Sequence, residues 1–170
     1  MAKFKVRLTH VPRDPTFPRA DDALGEHLWS MLSEKLEAGV PRPALFTFFP
    51  EAVQIVDVPP LLVPGVDLHH AFSAFASQPQ AEAMAALGVM VRRQHNKVIG
   101  QFAVAFIEWP DGRWWSCSRP LDAAGQPLDG AEEDVQRAVD GAPKPGGLGA
   151  WFRRARFEGI TLKLEGELVN

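Results

Sequence analysis

The sequence predicts an α+β fold: a mainly antiparallel sheet of about seven strands, including a meander across 88–118, with three to four helices packed on one face. Three observations lead there. Residues 3–9 alternate strictly between apolar and polar, as a half-buried strand does. A helical stripe bounded by start and stop signals lies near the N-terminus. Between 44 and 118, short apolar runs are separated by turn residues, and the meander leaves no room for crossover helices.

The elements follow in order. In 3–9, Phe4, Val6 and Leu8 face one way and Lys3, Lys5, Arg7 and Thr9 the other. Pro12, Pro15 and Pro18 make 11–20 an extended loop. Asp21 and Asp22 open a helix, because short carboxylates satisfy the free amides of a first turn. Leu24, Leu28, Met31, Leu32 and Leu36 form its stripe, and Gly39 and Pro41 end it. The runs 44–49 and 52–58, divided by Pro50 and Glu51, read as a hairpin.

Asp67 caps a short helix carrying Leu68, Phe72 and Phe75. Ser77 and Gln80 have capping-box spacing, with Pro79 in a first turn, so a second helix is expected through Ala81, Met84 and Ala85 as far as Gly88. The meander comprises 89–94, 98–109 and 113–118, with turns at 95–97 and at Pro110, Asp111 and Gly112. Asp129 is read as the cap of a short acidic helix at 131–139. Residues 142–149 form a Pro/Gly-rich loop expected to be mobile, and 151–157 suits either a helical turn or a strand. Ile160, Leu162 and Leu164 alternate with polar residues, so a terminal strand is expected.

Hydrophobic residues make up 46% of the 170 and charged residues 23%, which excludes fibrous and wholly disordered classes. One domain across 1–170 is the expectation at this length. Cys117 is the sole cysteine, so no intrachain disulfide can form. No signal-peptide-like apolar core follows the N-terminal strand, and no apolar run is long enough to span a bilayer, so the expected location is the cytoplasm.

The net charge of −3 hides segregation. Lys3, Lys5, Arg7, Arg13 and Arg19 stand against Asp14 alone in 1–20. Lys144, Arg153, Arg154, Arg156 and Lys163 stand against Glu158 in 144–163. Arg92, Arg93 and Lys97 gather at one hairpin, while Asp129, Glu132, Glu133, Asp134 and Asp140 oppose only Arg137. Solvated strand faces explain such runs, and phosphate or nucleic-acid binding by the basic terminal segments is a further alternative. The recognition motifs of nucleic-acid-binding folds are missing, and GGLG at 146–149 lacks the ending of a phosphate loop.

Catalytic signals are sparse. His69 and His70 are adjacent, and neighbours on a helix point about 100° apart, so they do not readily share a metal. Cys117 sits on a strand with no local group to activate it. A small hydrolase or transferase using Asp67, His69, His70 and Cys117 is therefore the alternative reading. No cofactor and no metal are expected. The leading expectation is a non-catalytic interaction protein, an adaptor, immunity or inhibitor protein, or accessory subunit. Its protein partner would meet a Trp/Arg surface of Arg113, Trp115, Trp151, Arg153 and Arg154. Trp114 and Trp115 must point to opposite sheet faces, leaving one of them exposed or covered by another element.

Overall fold

A computed structural model describes residues 8–14, 18, 21–39, 41–59, 67–138, 149–160 and 162, without the side chains of Asp21 and Arg92. Its centre is one seven-stranded sheet in the order β1-β3-β2-β4-β5-β6-β7. Every pairing is antiparallel. The strands are β1 (Leu8–Pro12), β2 (Ala44–Phe48), β3 (Ala52–Asp57), β4 (Ala83–Gln94), β5 (Lys97–Glu108), β6 (Trp114–Leu121) and β7 (Asp134–Ala138). The helices are α1 (Asp21–Ala38), α2 (Leu68–Ala76) and α3 (Trp151–Glu158). The α+β class read from the sequence is the class observed.

The helices lie on both faces of the sheet, not on one. Helix α1 packs Leu24, Leu28, Leu32 and Leu36 against Ala85, Ala105, Ile107 and Trp115. On the other face, Phe72 and Phe75 of α2 join Trp151 and Phe152 of α3 over Leu45, Val56, Met84 and Phe106. Each central strand therefore sends alternate side chains into two separate cores.

That two-sided burial corrects the helix expected through Ala81, Met84 and Ala85, which is the start of β4. A strand buried on both faces has no polar face to reveal its period. Ala83, Ala85 and Leu87 fill one core and Met84 the other, so a run of good helix formers conceals a strand. Gln80, read as part of the helix start, has φ 65°, outside the helical region.

The acidic helix expected at 131–139 is the edge strand β7, paired along β6 from Trp114↔Ala138 to Ser118↔Asp134. The open edge of β6 supplies backbone partners that outweigh the weak helical signal of Glu132 and Glu133. Glu133 accepts from Trp29 Nε1 at 2.9 Å, and Arg137 reaches Asp22 at 2.7 Å, so this segment is tied to α1. Residues 151–157, open to either reading, belong to α3. The loop at 142–148, most of the strand at 3–9 and most of the terminal strand fall outside the described residues. Strand β1 continues past Thr9 to Pro12.

Candidate functional site

The residues of the expected Trp/Arg surface separate into core and rim. Trp115 is 3% exposed and faces α1, while Trp114 is 7% exposed and faces α3. Trp151 is fully buried, edge-on to Phe72 at 5.6 Å and to Phe106 at 5.2 Å. Neither Trp115 nor Trp151 presents a ring to a partner. Of the two fates open to these indoles, cover by a helix is the one observed, because burying a large ring is worth several kcal/mol, roughly 3–5 by truncation.

The arginines lie at the surface with partners inside the chain. Arg113 Nε donates to Asp111 at 2.6 Å, and its guanidinium stands 5.6 Å from the Trp109 ring centre. Arg154 bridges Glu158 at 3.0 Å and Asp67 at 3.2 Å. Arg153 lies over Phe157 at 5.4 Å. Arg156 donates to the Pro110 carbonyl at 2.8 Å, which brings α3 beside the turn carrying Arg113.

The N-terminus of α3 is occupied by Glu108. Its carboxylate accepts the Phe152 N–H at 3.1 Å and the Ala150 N–H. Burial pushes the Glu108 carboxyl above its ordinary value, and these amide bonds pull it partly back. A helix N-terminus is a natural anion site, and here an internal anion fills it.

The residues of the catalytic alternative are each accounted for structurally. Asp67 Oδ1 accepts from the amides of His69 at 3.0 Å and His70 at 3.3 Å, so it caps α2. The His70 amide is the largest cause holding its pKa below the ordinary value, followed among the lowering causes by the Arg154 charge and then the His69 amide. Both imidazoles are exposed. Cys117 is buried, and loss of solvent, reinforced by Glu133 and Asp134, pushes its thiol up to about 12. Among the described residues, no cluster of three or more His, Cys, Asp or Glu is arranged to hold a metal ion. Nor is any described helix long and apolar enough to cross a membrane. An open cleft of about 300 Å³ lies between the end of α2 and α3. Its Gln78 is bonded to Gln54 at 2.7 Å and its Arg156 to Pro110.

A different surface stands out, the end of the β4–β5 hairpin. Both strands have 12 residues, but β2 has only 5 and β6 only 8. Pairing with β2 stops at Ala44↔Leu87, and pairing with β6 stops at Gln101↔Leu121. Among the described residues, no strand pairs with the outer edge of β4 over 88–94 or with that of β5 over 97–100. His95 and Asn96, with φ of 49° and 62°, close the arm in a tight two-residue turn. A bulge between Arg92 and Arg93 breaks the register near the tip.

This arm carries four of the large exposed apolar side chains: Met90 at 43%, Val91 at 47%, Val98 at 55% and Ile99 at 49%. Arg93, His95 and Lys97 are exposed beside them. The basic hairpin was visible in the sequence, but its apolar neighbours passed as ordinary strand residues. The available signal was the mismatch in strand length, since a long strand beside short neighbours must overhang them. No protein-family profile, no curated protein and no solved structure matches this chain.

Proposed function

We propose that this chain is a non-catalytic protein-binding module, acting in the cytoplasm as an adaptor, inhibitor or accessory subunit, and that the β4–β5 arm makes its principal contact. One observation carries the reading. Met90, Val91, Val98 and Ile99 are exposed together on a hairpin end with open backbone edges. Val91 and Met90 point to opposite faces, so the hairpin end exposes large apolar side chains on both, and such a concentration on one element marks an interaction site more often than single scattered residues do. Arg113, Arg153 and Arg154 belong to the other end of β5, beside Glu108 and Pro110 and nine residues along the strand from Ile99, so they are no part of this contact.

The test compares the parent chain with Val91→Ser/Ile99→Ser as bait in extracts of its native cell. Both sites are exposed, so the variant is expected to keep its Tm and to lose at least about tenfold of the specific co-purifying partner. Undiminished capture by the variant would overturn the reading. So would loss of capture on reversing Arg153 and Arg154 with the arm variant unaffected.

A further inference from the structure

We infer that the arm takes an extended, acidic segment of another protein as an added strand along the open edge of β4. This rests on the arm being the contact surface and specifies what that surface recognises. The first ground is backbone geometry. Past Leu87 the outer edge of β4 has no strand partner among the described residues, and its free N–H and C=O groups form a template for strand pairing. Gly88 is buried against Pro43, and regular pairing with β5 persists up to the bulge after Arg92, so residues 89–92 offer about four positions in register, the length of a short strand. Val91 lies on the α1 side and Met90 on the opposite side, so an added strand would meet an apolar contact on each face.

The second ground is charge. No Asp or Glu occurs anywhere in 83–107, whereas Arg92, Arg93, His95 and Lys97 fall within six consecutive positions. An acidic strand gains opposite-charge cross-strand pairs on this edge. A second copy pairing arm to arm would bring no acidic residue to this edge and would add a second basic hairpin to the first, so self-pairing gains none of these pairs. The charge pattern therefore selects a foreign acidic strand over self-pairing.

A phage-displayed library of random linear peptides, selected on the purified chain, tests this. Enriched peptides are expected to alternate Asp or Glu with Val, Ile or aromatic residues. Their affinity should fall about tenfold or more for Arg93→Glu/Lys97→Glu. N-methylation at every second residue should abolish binding in one register and spare it in the other. Enriched peptides that need Val91 and Ile99 but carry no acidic residues, or that tolerate N-methylation in both registers, would overturn the strand-addition inference and leave the arm as the contact surface. Peptides indifferent to every arm substitution would overturn both. No enrichment, or self-association abolished by the arm substitutions, would overturn the acidic-strand inference.

Discussion

Glu108 reaches across 44 residues to accept the backbone N–H of Phe152 at 3.1 Å, and so a strand of the central sheet caps the helix on its surface. Ala150, at the N-cap position of α3, adopts φ 60° and supplies no side-chain cap. Gly149 makes the approach possible, since a Cβ there would lie 2.7 Å from the Glu108 carboxylate and 2.9 Å from the Phe106 ring. The carboxyl is raised in the fold, above the ordinary 4.5, mainly by burial. A raised folded value means that its stabilising contribution is complete below 4.5 and is lost as pH rises through the folded value. Glu108→Gln removes that titration. The stability of the parent relative to Glu108→Gln should therefore decline as pH rises from 4.5 toward neutrality. Thermal melts of the two proteins across that range check this, and parallel curves would contradict it.

Gly25 lies on α1 directly over Trp115. A Cβ at Gly25 would stand 2.5–2.7 Å from the indole ring. In an exposed helix interior, Gly→Ala gains roughly 1 kcal/mol from propensity. Here overpacking costs about 1–3 kcal/mol and dominates. Gly25→Ala is thus expected to destabilise, and urea unfolding gives the sign.

Trp151 and Arg154 sit three residues apart on one short helix but should differ greatly on truncation. Trp151→Ala empties a site between Phe72 and Phe106 and should cost about 3–5 kcal/mol. Arg154→Ala breaks ion pairs whose side chains are 32–56% exposed, worth at most about 1 kcal/mol. Denaturant midpoints of the two variants check the contrast. Equal losses would mean that Trp151 does not anchor the core.

Cys117 should resist alkylation in the folded protein at mildly alkaline pH. It is 1% exposed and its thiol is pushed up to about 12, so little thiolate forms. Iodoacetamide labelling should appear only when the chain is unfolded, and mass spectrometry before and after denaturation reads it. Fast native labelling would reopen the nucleophile reading.

The parts of the fold that are legible in the sequence are those with one wet face or with clear turn residues at their ends. Helix α1 shows Leu24, Leu28, Leu32 and Leu36 on a single stripe between Asp22 and Gly39. The β2–β3 hairpin and the meander announce themselves through turn residues. The beginning of β4 was hidden because Met84 and Ala85 are buried on opposite faces, which erases the period. Strand β7 was hidden because Asp134, Val135, Gln136 and Arg137 are exposed and polar enough to fit a helix equally well. The burial of Trp115 and Trp151 is decided by where α1 and α3 dock, a tertiary fact with no local signature. At the arm, the basic residues were legible, but exposure of Val91 and Ile99 follows from where β2 and β6 end.

Site-specific photo-crosslinking in the native cell tests the β4–β5 arm as a contact surface without removing the chain from its partners. A photoreactive residue at Val91, on the open edge of β4, is compared with one at Glu37, exposed near the end of α1. Position 91 should yield a discrete crosslinked protein, lost on adding Arg93→Glu/Lys97→Glu, and position 37 none. Equal adducts from both positions, or none from position 91, would contradict that role of the arm.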